Sequence, residues 1–191
     1  MKKAGLDRGL TGEEKRELLR IARTSIEAEL GGKAPPEPAR KGTLEEKRGA
    51  FVSLKKRGKL RGCIGFIEPR KSLAKTVEEM AAAAAFQDPR FPPLRKEELQ
   101  DLKVEVSVLT PLHRVSDVGE IEIGTHGLYV RRGGRAGLLL PQVATEWRWD
   151  RDTFLRETCR KAGLAPDAWR DPETEIYLFS ADVFGEAQGE E

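Results

Sequence analysis

The stretch Phe51-Val52-Ser53-Leu54-Lys55-Lys56-Arg57-Gly58-Lys59-Leu60-Arg61-Gly62-Cys63-Ile64-Gly65-Phe66-Ile67 decides the fold class. It reads as two strands, Phe51 to Lys55 and Leu60 to Ile67. The glycine of Lys56-Arg57-Gly58-Lys59 suits the hairpin turn between them. Further along, Leu102-Lys103-Val104-Glu105-Val106-Ser107-Val108 alternates apolar and polar residues, the pattern of a half-buried strand. A second hairpin is predicted, with arms Gly127 to Arg132 and Arg135 to Leu140 around Gly133-Gly134, a two-residue turn signature. A short strand at Ile121 to Ile123 and a last one at Ile176 to Phe184 complete the set. Strands arriving as hairpins, with helices inserted between them, predict an α+β fold: a largely antiparallel sheet with packed helices.

The helices announce themselves by their ends. Thr11 and Glu14 form a capping box, in which each side chain takes the other residue's free backbone N–H. Leu18, Leu19, Ala22, Ile26 and Leu30 follow at helical spacing, and Gly31-Gly32 closes the helix. Ser72 caps a second helix, Leu73 to Phe86, with Leu73, Val77, Met80, Ala81 and Ala84 inward. The five alanines from Ala81 to Ala85 fit close packing, and Pro89 ends the segment. Asp150 caps a third helix, Arg151 to Ala162, stopped by Gly163, and Val143 to Trp147 reads as a helical turn. Between the first helix and the hairpin, a proline-rich strap over residues 33–42 runs extended. Residues 1–10 and 185–191 are expected to be flexible tails of one domain.

Composition narrows the function without naming it. The 191 residues are 38% hydrophobic and 35% charged, which fits a single globular core. No stretch approaches the ~18 apolar residues of a membrane span. The start lacks the apolar segment of a secretory signal, and two cysteines make no disulfide framework, so a cytoplasmic protein is expected. With 34 Lys and Arg against 32 Asp and Glu, bulk charge does not call for nucleic acid. There is no metal-ligand spacing and no phosphate-loop motif, and no cofactor or metal is expected.

Chemistry concentrates in the second strand of the first hairpin. Strand alternation puts Leu60, Ile64 and Phe66 on a core face and Arg61, Cys63 and Gly65 on the other. A guanidinium beside a thiol favours thiolate, which makes Cys63 a candidate nucleophile and Arg61 its activator. His126 is the candidate base, with Asp88 or Glu146 as orienter. The competing reading is a ligand-binding groove. There Arg61 recognises an anion, Asp88 is its carboxylate neighbour, and Gly62 and Gly65 leave room for a ligand. The plainest reading is a small buried cysteine in a tightly packed strand. A third function class rests on the basic hairpin tips, Lys55, Lys56 and Arg57 with Arg131 and Arg132, which suit RNA or DNA phosphates. Charged, solvated turns account for them equally well.

The hexapeptide Leu60-Arg61-Gly62-Cys63-Ile64-Gly65 resembles the signature of the AMMECR-type domain family, whose prokaryotic members are called AmmeMemoRadiSam system protein A. Three further segments resemble the family's motifs: Asp88-Pro89-Arg90-Phe91, Gly137-Leu138-Leu139-Leu140-Pro141-Gln142-Val143-Ala144, and Phe154-Leu155 followed by Lys161-Ala162-Gly163-Leu164. The resemblance spans about Thr11 to Phe184. It implies an α+β fold with two unequal lobes and a cleft. It adds Asp88 and Arg90 to Arg61, Gly62, Cys63 and Gly65 as candidate ligand-binding residues. It also implies Memo-like and radical S-adenosylmethionine proteins as partners. It implies no particular reaction, so an accessory component that binds a partner or an anionic small molecule is the leading expectation.

Overall fold

A computed structural model describes residues 9–37 and 41–186. These residues form two compact units, 9–108 with 182–186 and 109–181. The first unit opens with α1 (Gly12–Leu30), whose predicted capping box is formed and whose C-cap is Gly31. Leu18, Ile21, Ala22 and Ile26 are buried on its inner stripe. Then come β1 (Ala50–Lys56), β2 (Lys59–Phe66) and α2 (Leu73–Phe86), the last capped by the Ser72 side chain as expected. With β3 (Leu102–Leu109) and, from the chain's end, β8 (Ala181–Gly185), they make a four-stranded sheet in the order β2-β1-β3-β8. β1 pairs antiparallel with both β2 and β3. Val52 and Leu54 of β1 and Val104, Val106 and Val108 of β3 are buried in one core with α1 and α2.

Within the alanine run, Ala84 packs closely against β2. A Cβ on Gly62 would lie 2.1 Å from the Ala84 carbonyl oxygen, so only glycine lets the helix come this close.

The second unit holds β4 (His113–Arg114), β5 (Gly127–Arg132), β6 (Arg135–Leu139), α3 (Pro141–Glu146), α4 (Arg151–Lys161) and β7 (Glu175–Phe179). Its sheet order is β4-β7-β5-β6, and its core gathers Leu128, Val130, Phe154, Leu155, Cys159 and Ile176. Cys159 is therefore a packing residue, and burial pushes its thiol's pKa up. A Cβ on Gly137 of β6 would lie 2.3 Å from the Ala162 backbone nitrogen. Two of the quoted segments thus meet in one close strand–helix contact.

The fold is α+β with antiparallel strands, as expected, and the strands divide between two four-stranded sheets. Two expectations are corrected. The segment Ile176 to Phe184 is not one strand: it breaks at Ser180, which leaves the ladder to exchange hydrogen bonds with Thr110. Ile121 to Ile123 is no strand either. Asp117 caps a short turn at Val118–Glu120, and buried Ile121 follows it with its carbonyl taken by Arg151.

The expected tails lie, over residues 1–8 and 187–191, outside the described residues, as does 38–40 of the strap. At their inner margins Leu10 is buried and Gly185 ends β8. Among the described residues, no helix is long and apolar enough to cross a membrane.

Candidate functional site

The site is built on β2, which is an edge strand. The register of β2 on β1 shifts between Leu54 and Lys55: Gly62 faces Leu54, but Leu60 faces Lys55. Arg61 is left over as a bulge residue, and such a residue breaks the alternation of faces. Cys63 and Ile64 keep the expected sides. Leu60 is carried across to the face of Ser53 and Lys55 and is 45% exposed. Phe66, at the strand's end, is 39% exposed. The expected core face of Leu60, Ile64 and Phe66 is therefore reduced to Ile64, which packs against the core from a half-buried position.

Arg61 does not share an open face with Cys63. It is buried, and Glu98, not Asp88, is its carboxylate. Arg61 Nε and Nη2 donate to the two Glu98 oxygens at 3.1 and 3.0 Å, and Nη2 also reaches the Pro92 carbonyl at 2.9 Å. Lys56 Nζ and the Arg95 N–H complete the shell of Glu98 at 2.9 and 3.1 Å. The Arg61 guanidinium holds the Glu98 carboxyl down at a pKa of about 2. Glu98 has no motif signal in the sequence. The short turn that carries it, Lys96–Asp101, approaches β2 only after the chain has doubled back beyond α2.

Asp88 serves the strand edge instead. Pro89 stops α2, and the turn that follows places the Asp88 carboxylate on the Cys63 N–H at 2.9 Å. The same carboxylate accepts the Arg90 N–H at 3.1 Å and its Nε and Nη2 at 3.0 and 2.7 Å. Arg90 Nη2 also reaches the Cys63 carbonyl at 3.3 Å. Both main-chain groups that Cys63 presents outward are thus matched by one loop. The guanidinium carbons of Arg61 and Arg90 both lie over the Phe91 ring, 5.9 and 5.5 Å from its centroid. The Arg90 contact holds the buried Asp88 carboxyl well below the usual carboxylate range. Arg90 itself stays more than half exposed.

The remaining candidates are placed as follows. The Cys63 thiol is half-buried and receives a hydrogen bond from the Ser53 hydroxyl at 3.1 Å, across the hairpin. His126 belongs to the second unit, where its Nδ1 accepts the Glu122 N–H at 3.1 Å. The space beside Gly62 is filled by the Ala84 carbonyl, and that beside Gly65 by the Phe51 ring. The hairpin tips are paired with acids: Lys55 with Glu105, Lys56 with Glu98, Arg57 with Asp101, Arg131 with Glu175, and Arg132 with Asp171 and Glu173. Among the described residues, no group of three His, Cys, Asp or Glu side chains converges as metal ligands do.

The sequence model of the AMMECR1 family matches residues 19–184. A protein of Methanothermobacter thermautotrophicus is 49% identical over 187 residues, covering 93% of this chain and 96% of its own. Protein MK0488 of Methanopyrus kandleri is 50% identical over 191 residues, covering 95% and 92%. The crystal structure of the uncharacterized protein PH0010 from Pyrococcus horikoshii matches with a TM-score of 0.79 at 44% identity. It covers 88% of this chain and 89% of that one.

Proposed function

The chain belongs to the AMMECR1 family, and from that premise we propose that it is a cytosolic accessory component that binds a protein partner along the outer edge of β2. The observation that carries this reading is the clamp on Arg90. Its guanidinium is fixed by a buried carboxylate, yet it is more than half exposed beside Cys63, within the hexapeptide strand. A side chain already ordered loses little entropy on binding, so it is a low-cost anchor for an acidic group on a partner. Arg90 takes the anion-reading role that the sequence suggested for Arg61, whose own charge is spent on Glu98. Leu60 and Phe66 add exposed apolar surface along the same strand. The partners proposed are the Memo-like and radical S-adenosylmethionine proteins that the family resemblance implies.

The test is a titration of the full chain against each of these two proteins, read by size-exclusion chromatography and calorimetry. A complex with either is expected, weakened by at least about tenfold in Leu60→Asp, Phe66→Asp and Arg90→Glu. Val183→Asp, an exposed position on β8 at the sheet's opposite edge, is expected to leave it unchanged. No complex with either protein, or one indifferent to all three β2-edge changes, overturns the reading.

A further inference from the structure

In the second unit, α3 runs out into Trp147-Arg148-Trp149, and the two indoles stack with centroids 6.1 Å apart and planes 21° from parallel. Trp149 packs against the core of this unit, whereas Trp147 is 68% exposed. Of the four large apolar side chains exposed among the described residues, Trp147 is the one that lies in this unit. The turn that presents it is held by its backbone. The N–H groups of Trp147, Arg148 and Trp149 donate to the carbonyls of Val143, Thr145 and Ala144 at 3.1, 3.2 and 2.8 Å. The last two are the paired bonds of a Schellman close, which needs a left-handed residue just past the helix. That residue is Arg148, with φ 53°. Glycine takes this conformation freely and arginine does not, and backbone strain of this kind gathers at functional positions.

The Arg148 side chain gives the fold nothing in return for that strain. It is exposed, and among the described residues it has no ion-pair or hydrogen-bond partner. The last α3 carbonyls are already taken by the turn's own N–H groups, so the guanidinium is not needed as their cap. Glu146, before Trp147, is exposed and unpaired as well. The turn thus offers one fixed flat ring, with a free cation and a free acceptor in the residues on either side. A single exposed ring among charged neighbours is too small an apolar patch for a stable protein interface. It suits a small ligand that is flat at one end and anionic at the other. We propose that this turn binds a purine nucleotide. The base stacks on the face of Trp147 that Trp149 leaves open, and Arg148 meets the phosphate. A two-ring base covers an indole best, its amino group supplies a donor for Glu146, and the guanidinium fork matches phosphate oxygens.

Nitrogen-15 NMR of the full chain at low ionic strength, followed through the Trp147 indole N–H, tests this with AMP, and with adenosine, CMP and ribose 5-phosphate as comparisons. AMP is expected to move the signal along a saturating curve. Adenosine and CMP are expected to bind at least about threefold more weakly, and ribose 5-phosphate not to bind. Trp147→Ala, at an exposed position, is expected to weaken AMP by at least about fivefold, read from the backbone signals of the turn. Arg148→Gly is expected to bring AMP down to the level of adenosine and leave adenosine unchanged. The same variant is expected to unfold at a temperature no lower than the wild type, because glycine relieves the left-handed position. Lost binding is thereby separated from lost fold. The proposal is overturned if AMP does not saturate, if CMP or ribose 5-phosphate binds as well as AMP, or if Trp147→Ala binds AMP as the wild type does. It is overturned equally if Arg148→Gly keeps the lead of AMP over adenosine, or unfolds below the wild type, which would make the arginine a residue of the fold.

Discussion

The Asp88 carboxylate accepts the Cys63 backbone N–H at 2.9 Å and so covers the open edge of β2 at that residue. Unpaired strand edges invite association with other chains, and proteins cover them with loops or charges. Here the cover is specific. It matches the N–H and the C=O of one residue and leaves a guanidinium facing outward.

Asp88→Ala is therefore expected to destabilise the chain by about 1–3 kcal/mol, because it leaves the Cys63 N–H without its acceptor and removes the buried anchor of the Arg90 loop. Arg70→Ala, which breaks only the exposed Arg70–Glu68 pair, is expected to cost less than about 1 kcal/mol. Urea unfolding of both variants decides it. Equal losses would reduce the Asp88 network to a surface ion pair.

Gly62→Ala tests the contact between β2 and α2. The added methyl would sit 2.1 Å from the Ala84 carbonyl, and neither backbone segment has a flexible end that can yield. The expected loss is about 1–3 kcal/mol or more, the usual cost of overpacking. Gly134→Ala, where nothing lies within 4 Å of the added atom, is the matched control and is expected to be near neutral. A Gly62→Ala variant as stable as the control would show that α2 can move off the sheet.

The sequence is most legible where local chemistry decides. Thr11, Ser72 and Asp150 mark helix starts, and Gly31 and Gly163 mark helix stops, because a cap is satisfied within a turn of its own chain. The face of Leu60 is not legible, because a one-residue bulge at Arg61 reverses it and no residue type encodes that bulge. The break at Ser180 is hidden for a similar reason: it depends on Thr110, 70 residues away. In the site, the hexapeptide and the Asp88–Phe91 loop stand out by composition. Which carboxylate serves which arginine does not, since Asp88 and Glu98 are equally plausible from the sequence and only the folded path of residues 88–101 separates them.

The hairpin tips are expected to be poor nucleic-acid surfaces. Lys55 and Arg57 face Glu105 and Asp101, and Lys56 shares Glu98 with Arg61, so much of the first tip's positive charge is compensated. Affinity for phosphates follows the number of charges that release counterions, and paired cations release few. Retention of RNA by the wild type is expected to be weak and to change little with salt. The double change Asp101→Asn and Glu105→Gln is expected to strengthen it. A steep salt dependence in the wild type that is lost in Lys55→Gln, Lys56→Gln and Arg57→Gln together would restore the nucleic-acid reading.

Glu98 gives the acid side of the stability curve. Its carboxyl pKa is lowered from an ordinary 4.5 to about 2, first by Arg61 and then by Lys56 and the Arg95 N–H. A carboxyl with a depressed pKa in the fold binds its proton more readily when unfolded, so stability rises with pH across the interval between the two values. The contribution of Glu98 is thus complete above about pH 4.5 and falls away as the pH drops towards 2. Asp88, held low by Arg90, adds to the same acid loss. Glu98→Gln is expected to flatten the dependence of stability on pH in this interval, with little change in its slope above pH 5. Carbon-13 NMR of the Glu98 carboxyl reads the cause directly. Its midpoint is expected near 2 in the wild type and closer to the ordinary value in Arg61→Gln. The smaller rise is expected in Lys56→Gln, because Arg61 makes two of the contacts and Lys56 one. A Glu98 midpoint that stays low after Arg61 is changed would mean that the bulge in β2 does not serve to deliver that guanidinium.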